Sequence, residues 1–347
     1  MSDVAPATKV FSRAEKLGAL LKSAGDAELD AVYVADDGEA SDRKDELYAA
    51  EYPFDLTVLD LEYDAGLGRG RNAIVEVSDE PYLLFVDSDH RVPGNIDTLV
   101  AQAEARPDLG GISGLLYEDE KIRGTCHDLH ERGDLLVRDV REDKPVEMVA
   151  GAPLVEFEFL PNVALLRREC LSEQAWDDEY VIGKEHLDFY VAHAERTDWR
   201  FAVSPTALFD HPPCGDEGDV SNRESAAKLA HSKRYFLKKW GYRQILLGQT
   251  DWTDATHRQG TIGQLVEWGL KRALLSLPSA VQAWVMNRRD AMPRRLTRPA
   301  LRSEQRRTPL RGPLTLRPGV GGKPVELYAP PSRPTSDSPG CPLGLTS

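Results

Sequence analysis

One stretch of the chain decides its predicted fold: Pro81-Tyr82-Leu83-Leu84-Phe85-Val86-Asp87-Ser88-Asp89-His90-Arg91. Its run of apolar and aromatic residues has no helical spacing, which indicates a fully buried strand, and two carboxylates one residue apart end it. Ligands of open α/β sheets bind at the carboxyl ends of the strands, so we expect Asp87 and Asp89 to face a crevice. Two carboxylates this close favour a cation between them, such as a Mg²⁺ or Mn²⁺ ion that substrate phosphates also bind. A polar strand end that caps the next helix is the alternative.

Strand and helix patterns alternate around this stretch. We predict strands at 4–10, 30–35 and 56–61, and helices at 14–23, 41–51, 73–78 and 94–104. This alternation predicts right-handed crossovers and an α/β fold with a mostly parallel sheet flanked by helices. Three strand ends would then meet at one crevice, namely Asp36 and Asp37, the glycine-rich residues 66–72, and Asp87 with Asp89.

The second half of the chain has further strand patterns, at 111–116, 135–137, 146–149, 162–168 and 200–205. Cys126, His127 and His130 lie between two of them and could be taken for a metal cluster. No fourth ligand follows at a useful spacing, so we favour a surface hairpin for this segment.

Charge and composition exclude several classes of protein. The net charge is −14, and because residues 288–317 hold ten arginines against Asp290 and Glu304, the rest of the chain is strongly acidic. Such a body repels a polyanion, which argues against nucleic acid as the main partner. The Asp-rich, Lys-poor composition suggests a salt-adapted, halophilic source. Four widely spaced cysteines suit a reducing cytoplasm, and neither a signal peptide nor an ordinary transmembrane stretch is visible.

The glycine-rich segment Gly66-Leu67-Gly68-Arg69-Gly70-Arg71-Asn72 is similar to a dinucleotide fingerprint. Its third glycine comes one residue early, and the unit is not the first strand–helix turn of the chain, so a nicotinamide or flavin site is not expected. We predict instead a loop that presents Arg69 and Arg71 to a diphosphate at the N-terminus of the helix at 73–78. A solvated basic turn is the alternative.

Four segments in succession resemble the motifs of GT-A-fold glycosyltransferases of the family 2 type. They are Lys9-Val10-Phe11-Ser12-Arg13-Ala14-Glu15-Lys16-Leu17, Ala35-Asp36-Asp37-Gly38, residues 66–72 and Phe85-Val86-Asp87-Ser88-Asp89. The resemblance covers residues 4–240 and implies a Rossmann-like GT-A fold that binds a nucleoside diphosphate sugar, with a UDP-sugar as the expected donor. It implies that the base and ribose are held by Lys9, Phe11, Arg13, Asp36 and Asp37, and the ribose and a divalent ion by the Asp-x-Asp. The predicted nucleotide-sugar site also includes Arg69, Arg71, Asn72 and Asp87.

The predicted catalytic carboxylates are Glu185 and Asp188. Inverting glycosyl transfer needs a carboxylate that takes the proton of the acceptor hydroxyl, and these two residues lie at i and i+3 on one helix face. The family carries an acidic pair here, often adjacent, whereas this chain has His186 in the second position. Glu185 is our first candidate for the base and Asp188 the second. For Asp188 a non-catalytic explanation is an equal alternative, because the helix dipole favours acidic residues near the N-terminus of a helix.

His211 completes the predicted metal site. In many metal-dependent members of the fold a histidine after the last strand coordinates the ion, and His211 is the matching position. The resemblance therefore implies a Mn²⁺ or Mg²⁺ cofactor with Asp89, His211 and Asp87 as ligands.

The C-terminal third is predicted to lie outside a catalytic domain of residues 1–245. Within 256–292, apolar residues at helical spacing over 262–285, Trp268, Trp284 and the following arginines favour a helix in a membrane interface. An amphipathic helix packed on the catalytic domain is the alternative. Residues 293–347 are rich in Arg, Pro, Gly and Ser, and we expect them to be disordered.

Together these patterns predict a metal-dependent, inverting glycosyltransferase in the cytoplasm, peripheral on the inner face of the membrane. A saccharide or a lipid-linked glycan is the expected acceptor. Two alternatives stay open: a phosphohydrolase with Asp87 as the nucleophile, and a non-catalytic sugar-binding subunit of a larger assembly.

Overall fold

A computed structural model describes residues 3–118, 121–140, 144–212, 226–253, 269–270, 272–274, 276–291, 314–316 and 325–328. The described strands are β1 (Val4–Val10), β2 (Ala31–Asp36), β3 (Asp55–Asp60), β4 (Tyr82–Phe85), β5 (Leu109–Glu118), β6 (Lys121–Arg123), β7 (Asp128–Arg132), β8 (Leu135–Asp139), β9 (Glu147–Val149), β10 (Ala152–Glu156), β11 (Ala164–Arg167), β12 (Arg200–Asp210), β13 (Gln244–Leu247), β14 (Leu314–Leu316) and β15 (Val325–Tyr328). The described helices are α1 (Ala14–Asp26), α2 (Asp42–Tyr48), α3 (Leu67–Val77), α4 (Ile96–Ala105), α5 (Arg168–Glu173), α6 (Glu185–Arg196), α7 (Ala226–Trp240) and α8 (Ser279–Ala291).

The largest sheet has ten strands in the order β3-β2-β1-β4-β11-β5-β12-β10-β9, with β6 paired to β5. β3, β2, β1 and β4 are parallel neighbours, and β5 is parallel to β12. β11 runs antiparallel between β4 and β5, and β10 is antiparallel to β12. The predicted α/β fold with a mostly parallel sheet is confirmed.

β4 lies in the middle of this sheet, and successive side chains of the strand enter different apolar clusters. Leu84 packs in the cluster that contains Leu17 of α1. Phe85 packs in the other cluster, where its ring lies 4.8 Å from that of Trp176, which in turn stacks on Phe189 of α6 at 4.5 Å. Both faces of the strand are therefore covered, as its uninterrupted apolar run predicts.

A second sheet, in the order β13-β8-β7, corrects the prediction for the cysteine–histidine segment. β7 and β8 do form a hairpin, but Cys126 and His127 just before it are fully buried rather than on the surface. His127 stacks on Phe159 with ring centroids 4.3 Å apart, and its Nε2 accepts a 2.9 Å hydrogen bond from Arg138. The histidine is thus part of the packing between the two sheets.

α3 begins earlier than predicted, at Leu67, so residues 68–72 are its first turns and not a loop. Gly66 takes a φ of 102°, and its N–H donates to Oδ2 of Asp37 at 3.0 Å. A Cβ on Gly68 would lie 2.8 Å from the carbonyl oxygen of Asp177, and one on Gly70 would lie 2.8 Å from Cγ of Lys9. The glycines therefore allow the helix to pack closely on its neighbours, and a side-chain carboxylate already caps its N-terminal end.

The predicted continuous helix at 262–285 is wrong at Leu277 and Pro278, where the helix is interrupted before α8. Pro278 has no N–H and disfavours helical backbone at the preceding residue. Ala283 and Met286 of α8 are buried in one cluster with Leu246 of β13, so part of this helix packs on the second sheet. Trp268 and most of the tail predicted to be disordered lie outside the described residues. Within that tail β14 and β15 pair antiparallel.

Candidate active site

The carboxylate of Asp89 is at the centre of the site. Asp89 follows β4, is 5% exposed, and accepts a hydrogen bond at Oδ2 from the guanidinium of Arg13. Nε2 of His211 lies 3.4 Å and Nζ of Lys16 lies 4.0 Å from the same oxygen. Nδ1 of His90 lies 3.6 Å from the other oxygen. Four basic side chains from three segments therefore surround one buried carboxylate.

The two histidines of this cluster differ in charge. Hydrogen bonds to Asp89 and to Glu118, whose Oε1 lies 3.2 Å from Nδ1, raise the pKa of His211 to about 9. Burial lowers the pKa of His90, which stacks on His211 with ring centroids 4.5 Å apart. Burial would raise the pKa of Asp89, but the hydrogen bond from His211 and the charge of Arg13 outweigh it and hold that pKa below the usual range. At neutral pH His211 is charged and His90 is neutral.

Asp89, His90 and His211 fit a divalent cation. They offer three ligand atoms within 4.8 Å of one another. Among the described atoms, Oδ1 of Asp89 and Nε2 of His90 are buried without a hydrogen-bond partner. Carboxylate and imidazole are suitable ligands for Mn²⁺, although His211 would have to lose its proton to bind one.

Asp87, which we also predicted as a metal ligand, makes other contacts. Its Oδ1 lies 3.6 Å from Nη2 of Arg71, and its Oδ2 accepts a 3.2 Å hydrogen bond from the amide of Asn162. Arg71 is 5% exposed and lies over the ring of Trp176, 5.4 Å from the ring centre. Its Nη1 has no hydrogen-bond partner among the described residues. The two aspartates of the Asp-x-Asp therefore belong to two different clusters.

Arg69 and Asn72, both predicted for the nucleotide site, contact other groups than Asp87. Arg69 is half exposed, and its Nη1 lies 3.8 Å from Oε2 of Glu62. The amide of Asn72 donates hydrogen bonds of 2.8 Å to the carbonyl oxygen of Trp176 and to Oδ1 of Asp178. Because these residues are helical, their side chains diverge around α3 instead of lining one loop.

The remaining predicted donor-site residues are brought together at the ends of β1 and β2. Nζ of Lys9 lies 2.5 Å from Oδ1 of Asp37 and 5.1 Å from the ring centre of Phe11. Oδ1 of Asp36 accepts a 2.7 Å hydrogen bond from Nζ of Lys44, which also donates to the carbonyl oxygen of Phe11. Lys44 thus fixes the turn after β1 to the end of β2.

Glu185 is a buried carboxylate with an unused oxygen. It begins α6 after Gly183 and Lys184, which have φ values of 76° and 78° and turn the chain sharply into the helix. Glu185 is 5% exposed, and its Oε2 has no hydrogen-bond partner among the described residues. Burial raises its pKa, the charge of Arg71 opposes that shift, and the charge of Asp87 adds to it. A carboxylate in this setting is suited to accept a proton.

Both carboxylate oxygens of Asp188, by contrast, accept hydrogen bonds from protein groups. Its Oδ1 accepts hydrogen bonds from the hydroxyl of Tyr180 at 2.9 Å and from Nε1 of Trp240 at 2.7 Å. Its Oδ2 accepts one from Nζ of Lys239 at 2.8 Å, and Lys239 also contacts Asp177 at 2.7 Å. Asp188 therefore ties α7 to the start of α6, which is a structural role.

Replacing Asp188 with alanine should lower the free energy of unfolding by about 3 kcal/mol, because it leaves the partly buried ammonium of Lys239 and the donors of Tyr180 and Trp240 with fewer acceptors. Urea unfolding followed by circular dichroism measures this. Asp178→Ala is the matched control, since Asp178 is exposed and accepts one hydrogen bond, and it should cost less than ~1 kcal/mol. Equal losses in the two variants would contradict the structural role of Asp188.

His186, in the position of the second acid, is a neutral hydrogen-bond donor. Its Nε2 lies 2.9 Å from the carbonyl oxygen of Leu160, and burial lowers the pKa of His186 to about 3. A neutral imidazole cannot supply the charge of a carboxylate. The geometry therefore leaves Glu185 as the carboxylate of this segment with an oxygen available to a ligand.

Comparison with known proteins agrees with this arrangement. Residues 8–134 match the family model described as Glycosyl transferase family 2. Over this segment, which is less than half of the chain, the protein is similar to family 2 glycosyltransferases. The segment contains the end of β1, β2 to β4, the Asp36–Asp37 turn, α3 and the Asp-x-Asp, and the resemblance read from the sequence is confirmed. No curated protein matches the chain.

Solved structures also resemble the chain. The chain resembles GalNAc-T7, solved with UDP, GalNAc and Mn²⁺, with a TM-score of 0.51 and 12% identity over 69% of this chain and 48% of that one. It also resembles residues 1–349 of S. aureus TarS in complex with UDP, with a TM-score of 0.46 and 14% identity over 92% of this chain and 98% of that one. The chain thus spans about half the length of GalNAc-T7, and the expected GT-A fold is confirmed.

Several residues of the candidate site were not predicted from the sequence. His90 directly follows the Asp-x-Asp, so its position was a usable signal. Lys16, in the first turn of α1, lies three residues after Arg13 at the N-cap of the helix, and that spacing was also readable. Glu118 and Asn162 reach the site only through the order of the strands, which no local pattern reveals.

Proposed function

We propose that this protein transfers a sugar from a UDP-sugar to an acceptor hydroxyl, with inversion and with a Mn²⁺ or Mg²⁺ ion. The observation that carries the proposal is that two clusters of charged side chains lie around the two aspartates that follow β4. One is the cationic cluster around Asp89, and the other contains Arg71, Asp87 and Glu185, whose charges act on one another. Binding a diphosphate and removing a proton are the two tasks that glycosyl transfer requires.

The cluster around Asp89 suits the diphosphate. When bound at Asp89, His90 and His211, a divalent ion would supply the positive charge that stabilises the leaving UDP. Arg13 and Lys16 lie beside the same carboxylate and can donate charge-assisted hydrogen bonds to phosphate oxygens. GalNAc-T7, which shares the fold, was solved with UDP and Mn²⁺, and this supports the choice of donor and ion.

The base is assigned to Glu185. Its carboxylate takes the proton of the acceptor hydroxyl while that oxygen forms a bond to the anomeric carbon. The bond between the anomeric carbon and the diphosphate oxygen breaks, and UDP leaves with the electron pair. A single displacement of this kind inverts the anomeric centre. Arg71 and Asn162, which contact Asp87, line the same cluster and are available to sugar hydroxyls.

The acceptor is proposed to be a saccharide or a lipid-linked glycan at the cytoplasmic side of a membrane. Asp87 as the nucleophile of a phosphohydrolase is less well supported, because both of its oxygens already face protein groups, Arg71 and Asn162.

Calorimetric titration of the full chain with UDP, UDP-hexoses and the matching GDP-sugars, with and without Mn²⁺, tests this function. We expect a UDP-sugar to bind with Mn²⁺ present and much more weakly in excess chelator, and to be slowly hydrolysed in the bound state. Saccharide binding without any nucleotide affinity would favour the non-catalytic subunit instead. A trapped phospho-aspartate would favour the phosphohydrolase.

A further inference from the structure

α8 has apolar side chains on two opposite sides. Ala283 and Met286 are buried against the second sheet. Val281 and Trp284 of the same helix are 42% and 61% exposed, and Leu277 just before it is 38% exposed. The packed side already accounts for the attachment of α8 to the protein. The exposed side chains therefore need a separate explanation.

These exposed residues lie close together in the sequence, unlike the other exposed large apolar residues of the described chain. Of the seven exposed large apolar residues in the described parts, Tyr63, Val77 and Met148 lie in separate elements. The other four are Leu270, Leu277, Val281 and Trp284. Single apolar residues on a surface are ordinary, whereas a cluster marks a binding surface.

Positive charge accompanies this cluster. The guanidinium of Arg288 lies over the ring of Trp284, 5.7 Å from the ring centre. In the sequence Arg289, Arg294 and Arg295 follow, within the stretch of ten arginines at 288–317. The remainder of the chain is strongly acidic, so the positive charge of Arg288 and of the arginine-rich sequence after it favours an anionic partner.

We propose that Leu270, Leu277, Val281, Trp284 and Arg288, the C-terminal apolar surface, bind the surface of an anionic lipid bilayer. The apolar side chains would enter the boundary between headgroups and acyl chains, and the arginines would contact lipid phosphates. A second copy of the chain fits less well, because a two-fold interface on this surface brings the Arg288 side chains of both copies together. The inference does not depend on the sugar-transfer proposal.

Co-sedimentation of the full chain with vesicles, without nucleotide or acceptor, tests the proposal. We expect binding to vesicles of phosphatidylglycerol and phosphatidylcholine, little binding to phosphatidylcholine alone, and release by salt. Trp284→Ser should weaken binding roughly tenfold, the equivalent of losing one buried aromatic side chain. Arg288→Gln should weaken it roughly fivefold and reduce its salt dependence.

Met148→Ser is the matched control, because Met148 is 59% exposed on β9, outside this surface, and the substitution should leave binding unchanged. Circular dichroism checks that each variant is folded. Failure of the wild-type chain to bind anionic vesicles would overturn the proposal, as would equal losses in Trp284→Ser and Met148→Ser. Light scattering that finds a dimer dissolved by Trp284→Ser, without vesicle binding, would assign the surface to a second copy.

Discussion

Replacing Asp89 with asparagine is expected to remove measurable Mn²⁺ binding and to lower kcat/KM for sugar transfer roughly 10³-fold. The substitution keeps the shape of the side chain and removes the negative charge that Arg13, His211 and the proposed ion share. Titration of Mn²⁺ followed by electron paramagnetic resonance measures the first effect, and a radiolabelled sugar-transfer assay measures the second. Because metal binding is read separately from activity, a loss of transfer alone would point to Arg13 rather than to the ion.

Asp60→Asn is the matched control for this experiment, since Asp60 also ends a strand of the same sheet but is exposed. It should change neither Mn²⁺ binding nor transfer. Full activity of the wild-type protein in excess chelator would contradict the metal-dependent mechanism.

The Asp89→Asn variant also has a defined pH dependence of stability. The pKa of Asp89 is held below its usual range in the folded state, so this carboxylate stabilises the fold above the ordinary Asp pKa of about 3.9 and loses that effect as the pH falls through its folded value. The difference in free energy of unfolding between the wild type and Asp89→Asn should therefore be present at neutral pH and shrink in acid.

The sequence predicts the sheet well, because the spacing of apolar residues indicates directly which positions are buried. The run from Tyr82 to Phe85 is buried on both sides, and its position in the middle of the sheet places the following aspartates at the carboxyl end of a central strand. The strand ends at Asp36 and Asp37 follow from the same alternation. These features depend on local sequence, which is what periodicity can read.

What the sequence could not predict depends on contacts between distant segments. Asp87 and Asp89 look equivalent in the chain, yet one faces Arg71 and the other Arg13. The start of α3 is fixed by Asp37, which caps it from another strand end. His127 is buried because Phe159 and Arg138 meet around it.

The break before α8 is a different case. Pro278 is a local signal that ends a helix, and the regular spacing of apolar residues through 262–285 obscured it. The exposed and the packed side chains of α8 share one periodicity, so the pattern alone could not tell which of them cover the protein. Packing of Ala283 and Met286 on the second sheet made that distinction.

Replacing Glu185 with glutamine is expected to lower the rate of sugar transfer by about 10²–10⁴-fold while UDP and Mn²⁺ bind as in the wild type. Burial raises the pKa of Glu185, and only the ionised form accepts a proton. The rate of transfer by the wild type should therefore be maximal above that raised pKa and decline as the pH falls through it. This decline should occur at a higher pH than the ordinary Glu pKa of about 4.3. The residual transfer of Glu185→Gln should lack this acidic limb.

The raised pKa of Glu185 also predicts how Glu185→Gln affects stability, independently of its effect on catalysis. A buried acid with a raised pKa binds its proton more tightly in the folded state, so its ionised form opposes folding at neutral pH. Glu185→Gln should consequently melt no lower than the wild type, whereas Asp188→Ala should melt lower. Glu179→Gln is the matched control, because Glu179 lies in the same segment with a 53% exposed side chain, and it should keep full activity. Wild-type transfer by Glu185→Gln, together with a severe loss in a folded Asp188→Asn, would reassign the base to Asp188.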